Sequence, residues 1–100
     1  MTLEIQQDAA ELKLRAERRA GELLAPLRLR GGNRKSKTPQ GFLTLEALGI
    51  DDHQSSDWQQ IAQLSTEDFD AYIYETREAQ RRLTTHGVLR LAKDARRATP

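Results

Sequence analysis

The chain has 100 residues, of which 37% are apolar and 5% aromatic, and its net charge at pH 7 is +1. A chain of this length has a thin core, for which oligomerisation is one common source of added stability. Without cysteine it has no disulfide or thiolate metal site, and with no signal-like or membrane-spanning apolar run we expect a cytoplasmic protein.

The first predicted element is a long helix over residues 3–25. Its apolar residues recur at steps of three and four, which places them on one side of a helix: Ile5, Ala9, Leu12, Ala16, Ala20 and Leu23. Because this stripe is narrow and rich in alanine, another helix can approach it closely, either from the same chain or from a second copy. Pro26 disfavours helix at Ala25 and predicts the end of the helix there.

A basic, glycine-rich loop over residues 27–38 separates residues 1–26 from a helical bundle predicted over residues 39–100. Proline is tolerated in the first turn of a helix, so Thr38 followed by Pro39 predicts a short helix from Pro39 to Leu48. Gly49 is the residue type that most readily adopts the left-handed conformation at a helix end, and it predicts the stop.

Three further helices follow. Asp51 or Asp52 is predicted to cap a helix that continues to about Leu64, and Ser65 in the string STED caps the next. Thr84 or Thr85 caps the last, whose basic end suits the negative pole of the helix dipole. The predicted inner faces are Trp58, Ile61, Ala62 and Leu64, then Phe69, Tyr72, Ile73, Thr76, Ala79 or Gln80 and Leu83, then Val88, Leu89, Leu91, Ala92 and Ala95. The predicted fold is all-α, with about five helices.

The stretch LEALGIDDHQSSDWQQIAQL, residues 45–64, has the outline of a helix-turn-helix, with Gly49 at the bend and Ile50 as an apolar anchor. An ordinary helical hairpin matches part of the same pattern. In the helix-turn-helix register the leading end of the second helix presents polar side chains that reach bases or phosphates: Gln54, Ser55, Ser56 and Gln59. Ser55 stands where such motifs usually bury a larger apolar residue, so the contact there is either loose or filled by Trp58.

Charge is strongly segregated along the chain. Residues 13–37 hold nine Lys and Arg, residues 41–75 hold eight Asp and Glu with no Lys or Arg, and residues 76–100 hold seven Lys and Arg. Solvated helices of differing charge would give the same pattern. A polyanion, however, would be attracted to the two basic flanks. The predicted phosphate contacts are Arg34, Lys35 and Lys37 in the loop and Arg90, Lys93, Arg96 and Arg97 in the last helix.

Several strings together resemble small helical helix-turn-helix-like proteins of bacteriophages and mobile elements: ELKLRAERRAGELL, LEALGI, QSSDWQQIAQL, EDFDAYI and LTTHGVLRLAK. The resemblance covers about residues 10–93. It implies a helix-turn-helix bundle that binds DNA. Such relatives typically carry an arginine before the tryptophan, where this chain has Asp57.

Two functions follow as hypotheses. The favoured one is a regulatory DNA-binding protein, acting as a homodimer. The alternative is a protein-binding inhibitor, such as an anti-defence protein (anti-CRISPR included) or an antitoxin. Its acidic centre would occupy the basic groove of a nucleic-acid-binding protein: Glu46, Asp51, Asp52, Asp57, Glu67, Asp68, Asp70 and Glu75. We expect no enzymatic activity, metal or cofactor, because the two histidines match no common ligand or catalytic spacing.

Overall fold

The computed structural model describes residues 2–28 and 44–98. Within these ranges it is all-helical, as predicted, and contains five α-helices and one 3-10 turn. They are α1 (Leu3–Leu24), the 3-10 turn Ala25–Leu27, α2 (Leu45–Leu48), α3 (Asp52–Ala62), α4 (Thr66–Glu78) and α5 (Thr85–Ala98). None of these described helices combines the length and the apolar character needed to cross a membrane.

Helix α1 begins and ends within one residue of the prediction. The Thr2 side chain caps it by accepting a hydrogen bond of 3.2 Å from the backbone N–H of Ile5. At the other end the 3-10 turn contains Pro26, and Arg28 adopts a left-handed φ of 51°. The proline therefore ends the α-helix but leaves the chain coiled for one more tight turn.

Helix α2 is much shorter than predicted. Thr44 is extended, with φ −131° and ψ 166°, and its side chain caps the helix by accepting from the N–H of Ala47. The prediction of one continuous helix from Pro39 to Leu48 is therefore wrong, because Thr44 interrupts it. Residues 39–43 themselves lie outside the described part of the chain. The predicted end at Gly49 is confirmed by its left-handed φ of 76°.

The predicted caps of the last three helices are confirmed. Asp51 caps α3, Ser65 caps α4 by accepting from the N–H of Asp68 at 3.0 Å, and Thr84 accepts from the N–H of Gly87 at 2.9 Å. Each cap satisfies one of the backbone donors that a helix start leaves without an intrahelical partner. Helix α4 ends at Glu78, earlier than its predicted inner face, and Gln80 turns the chain with φ 58°.

One hydrophobic core joins α1, α3, α4 and α5. Its buried members are Leu14, Ile61, Leu64, Phe69, Ile73, Leu83, Val88 and Ala92. Full burial of a Leu, Ile, Val or Phe side chain contributes about 1.5–3 kcal/mol. Trp58 and Ala62, predicted for the inner face of α3, are half-buried.

Helix α1 packs on the bundle with the side opposite its predicted apolar stripe. The buried residues are Gln7, Leu14, Gly21 and Leu24, whereas Leu12 in the predicted stripe is exposed. At Gly21 the backbone of α3 comes so close that a Cβ would collide with the carbonyl of Trp58. The other residues of the predicted stripe are exposed too, except Ala20, which is half-buried.

Ion pairs attach α4 to α1. Arg77 donates to Asp8 at 2.6 Å and to Glu11 at 2.8 Å, and Arg15 donates to Asp70 at 3.0 Å. The hydrogen bond from Arg15 holds the pKa of the Glu11 carboxyl below its ordinary value; burial opposes this, and Arg77 adds to the lowering.

The attachments of α3 and α5 to α1 use different groups. Arg18 lies over the ring of Phe69, 5.1 Å from its centroid, and donates to the carbonyl of Leu64 at 2.9 Å, just beyond the end of α3. Helix α5 is joined to α1 by a hydrogen bond of 2.8 Å from the hydroxyl of Thr85 to the carboxylate of Glu17. These hydrogen bonds attach α3 and α5 to the same helix, α1.

Candidate nucleic-acid interface

The bend between α2 and α3 is closed by backbone hydrogen bonds. The N–H of Gly49 donates to the carbonyl of Glu46 at 3.0 Å, and the N–H of Ile50 donates to the carbonyl of Leu45 at 2.9 Å. This closure requires a left-handed residue, which glycine supplies at no steric cost. Residues 45–62 are therefore two helices that meet at a fixed corner.

The tip of α3 is a reciprocal capping box. The Asp51 carboxylate accepts from the N–H of Gln54 at 2.7 Å, while the Gln54 side-chain oxygen accepts from the N–H of Asp51 at 3.2 Å. Asp51, Asp52, His53 and Gln54 are all exposed. The positive end of the helix dipole favours the two carboxylates here. The amide N–H groups of Gln54 are not used in this box and point to no partner within it.

Two of the four predicted contact residues of α3 face inward. Ser55 is 3% exposed and its hydroxyl accepts from the Gln59 amide at 2.8 Å. Ser55 thus occupies the buried position of the second helix, and Gln59 completes its hydrogen bonding from a half-buried site. Ser55 is consequently not accessible to a base or a phosphate, contrary to its prediction as a contact residue.

The outward side of α3 is connected to α5 by a chain of polar side chains. The Gln60 amide donates to the hydroxyl of Ser56 at 3.3 Å, and Arg96 of α5 donates to the Gln60 side-chain oxygen at 3.3 Å. Two predicted contact residues from different helices, Ser56 and Arg96, are therefore brought together through a residue that the prediction omitted. The spacing of four between Ser56 and Gln60 is the sequence signal that would have found it.

Helix α5 carries a basic row on its outward side. Arg90, Lys93 and Arg97 are exposed, and with His86 they recur at steps of four, three and four, opposite the buried Val88 and Ala92. Arg96 lies at the edge of this row nearest α3, as its bond to Gln60 requires. We call Arg90, Lys93, Arg96 and Arg97 the α5 basic row.

The remaining predicted residues are the basic residues of the loop and the acidic residues of the alternative hypothesis. Arg34, Lys35 and Lys37 lie outside the described residues. Of the eight acidic residues of the alternative hypothesis, Asp57 is half-buried and the rest are exposed. Within residues 2–28 and 44–98, Asp70 alone of these eight forms an ion pair, with Arg15.

The outward side of α4 carries exposed acidic side chains and an exposed aromatic ring. Glu67, Tyr74 and Glu78 are exposed, and their spacing places them opposite the buried Phe69 and Ile73. Tyr74 is 66% exposed, whereas Tyr72, predicted for the inner face of this helix, is half-buried. We call Glu67, Tyr74 and Glu78 the α4 acidic row.

The described residues contain no group of three His, Asp or Glu side chains placed to hold a metal ion. No protein-family model matches this chain, and neither the curated proteins nor the solved structures include a significant match.

Proposed function

We propose that this protein binds duplex DNA through the α5 basic row together with the outward side of α3, as a cytoplasmic regulatory protein of a phage or mobile element. One observation carries the proposal: Arg96 reaches Gln60, which in turn reaches Ser56, at 3.3 Å each. Through these two hydrogen bonds the basic helix α5 and the second helix of the turn, α3, lie side by side on one surface. The resemblance to helix-turn-helix-like proteins supports the same assignment.

The two helices have different parts in the proposed contact. Arg90, Lys93 and Arg97 span eight residues of α5, about 10 Å along its axis. Their charges neutralise phosphates and release counterions, which supplies affinity without sequence preference. Ser56 and Gln60 on α3 supply hydroxyl and amide groups, which pair with base edges in the major groove.

The internal hydrogen bonds of this surface are suited to exchange for DNA contacts. Both bonds of Gln60 are 3.3 Å long, beyond the usual 2.9–3.0 Å of such bonds. A DNA base that pairs with Gln60 therefore displaces weak bonds, and Arg96 is freed for a phosphate. The α4 acidic row would turn away from the duplex, because its charge repels phosphate.

Fluorescence anisotropy of a labelled DNA duplex, measured at several salt concentrations, tests the proposal. The double variant Lys93→Gln/Arg97→Gln should bind more weakly than the wild type, and the negative slope of log K against log salt should become shallower by about 1.8 if both side chains neutralise a phosphate. The matched control is Arg81→Gln/Arg82→Gln, which makes the same change in net charge at exposed residues away from the row. Equal slopes for the two double variants would refute the proposed role of α5.

A second function, binding to a basic protein, is favoured by the α4 acidic row. An exposed tyrosine flanked by carboxylates is a common anchor in protein interfaces, where aromatic residues carry much of the binding energy. Affinity capture from host cells with wild-type bait and with Glu67→Lys/Tyr74→Ala/Glu78→Lys bait tests it. A basic protein retained only by the wild type, together with DNA binding that is absent, would replace the first proposal by the second.

A further inference from the structure

Helix α1 leaves an apolar row open to solvent. Of the exposed large apolar side chains in the described residues, five belong to α1 and the 3-10 turn: Leu3, Ile5, Leu12, Leu23 and Leu27. Ile5 is 53% exposed, Leu12 72% and Leu23 54%. Single exposed apolar side chains are ordinary, but a continuous row along one helix is typical of an interaction site.

The spacing of this row is that of a coiled-coil seam. Ile5, Ala9, Leu12, Ala16, Arg19 and Leu23 are separated by four, three, four, three and four residues, the alternation of a heptad repeat, with a charged residue, Arg19, at one position. The row lies on the opposite side of α1 from Leu14 and Gly21, which pack on the bundle. A second helix can therefore lie along it without displacing α3, α4 or α5.

We infer that the occupant is α1 of a second copy, packed antiparallel and centred on residue 14. In that register large residues meet small ones: Leu12 packs against Ala16 of the partner subunit, and Arg19 against Ala9 of the partner subunit. Ile5 pairs with Leu23 of the partner subunit at each end. Matching large with small side chains fills space at the density of a protein interior.

A parallel pair would match the same residues poorly. Ala9 and Ala16 would each face their own copy and leave gaps, while two Arg19 guanidinium groups would meet inside the seam. Gaps forfeit dispersion contacts, and buried like charges are costly.

Charge complementarity also favours the antiparallel pair. Arg19 is bound to Glu22 of its own helix at 3.0 Å, and Asp8 is bound to Arg77 at 2.6 Å. The antiparallel register brings Arg19 beside Asp8 of the partner subunit. Arg77, Asp8, Arg19 and Glu22 then form a row of alternating sign across each end of the dimer, in which every carboxylate touches a guanidinium. Lys13 approaches its own copy near the centre, where the two charges oppose pairing.

Cysteine cross-linking tests both the pairing and its direction, because the natural chain has no cysteine. Lys13→Cys should be joined to its own copy by a short bismaleimide. Ile5→Cys alone should not, since its two copies would lie about 27 Å apart along the axis. A mixture of Ile5→Cys and Leu23→Cys should give the mixed cross-link. Self-linking of Ile5→Cys, or no cross-link at any of the three positions, would overturn the inference.

Light scattering after size exclusion provides the second test, and it needs no DNA. The wild type should have the mass of a dimer, whereas Leu12→Glu should be monomeric with unchanged helical circular dichroism, because Leu12 makes little contact within its own bundle. Leu48→Glu, at an exposed leucine outside the row, is the matched control and should remain dimeric. A wild type that is monomeric at high concentration, or a dimeric Leu12→Glu variant, would refute the pairing whether or not the protein binds DNA.

Discussion

Helices α4 and α5 have similar apolar inner sides, but their outer sides carry opposite charge. Both contribute apolar side chains at helical spacing to the same core, Phe69 and Ile73 from α4 and Val88 and Ala92 from α5. On their outward sides α4 carries Glu67, Tyr74 and Glu78, whereas α5 carries its basic row.

Packing explains why both helices have apolar inner sides, but it does not explain why their outer sides differ in charge. The inner sides must be apolar to form the core, whereas surface substitutions usually change stability by less than about 0.5 kcal/mol. Charge on an outward side is therefore free to follow the requirements of a partner. The two rows divide the surface into a basic part and an acidic part, and the proposed function depends on this division.

The largest expected effect is a difference in the free energy of unfolding between substitutions on the inner and the outer side of α4. Phe69→Ala removes a side chain that is 1% exposed and leaves a cavity, so we expect a loss of about 3–5 kcal/mol in the free energy of unfolding. Tyr74→Ala, on the outer side, should change it by less than about 0.5 kcal/mol. Urea denaturation followed by circular dichroism measures both; equal losses would show that Tyr74 is also part of the core.

Acid should weaken the attachment of α4 to α1. The lowered pKa of Glu11 means that its contribution to stability is fully present above its unfolded pKa, about 4.3, and is lost as pH falls through the lower folded value. The difference in unfolding free energy between wild type and Glu11→Gln should therefore be constant from pH 7 to pH 5 and shrink below pH 4. A difference that grows on acidification would contradict the assigned direction of the pKa change.

A smaller effect, on DNA affinity, is expected from a substitution at Gln60, where α3 contacts α5. Gln60→Ala removes the hydrogen bonds that join Arg96 to Ser56 and an amide proposed to contact a base, so DNA affinity should fall by up to about tenfold, the upper end of the value of one hydrogen bond between neutral groups. The salt slope should stay unchanged, because no phosphate contact is removed. Ser65→Ala, a substitution in the α4 cap, tests whether any loss reflects stability alone. A shallower salt slope for Gln60→Ala would mean that Arg96 reaches phosphate only when Gln60 orients it.

The smallest effect should come from the α4 acidic row. Glu67→Gln/Glu78→Gln removes repulsion acting over about one Debye length, so DNA affinity should rise by a factor of about two at low salt and less at physiological salt. Asp94→Gln, which removes one acid beside the α5 basic row, should have a comparable or greater effect per charge. Weaker DNA binding by the α4 variant would mean that α4, not α5, faces the ligand.

Local chemistry made parts of this fold predictable. The caps at Asp51 and Ser65 and the bend at Gly49 depend on one residue and its near neighbours, and all three were predicted correctly. The start of α2 was not, because proline tolerates a helix start without requiring one, whereas the Thr44 side chain supplies the cap that decides it.

Tertiary packing limited the remaining predictions. Helix α1 carries two apolar stripes, and the one that packs within the chain contains Gln7 and Gly21, which a search for apolar periodicity passes over. Gly21 is buried because the α3 backbone lies against it, a contact between residues 37 positions apart. Ser55 was predicted as a contact because it is polar, yet its hydroxyl is satisfied internally by Gln59.

The most direct test of DNA binding by α5 and α3 is a titration of isotope-labelled protein with a short DNA duplex, followed by amide chemical shifts in NMR spectra. The shifts should be largest at Arg90, Lys93, Arg96 and Arg97 and at Ser56 and Gln60, and small at Glu67, Tyr74 and Glu78. Shifts concentrated on α4, or a spectrum unchanged by excess DNA at low salt, would contradict the proposed function.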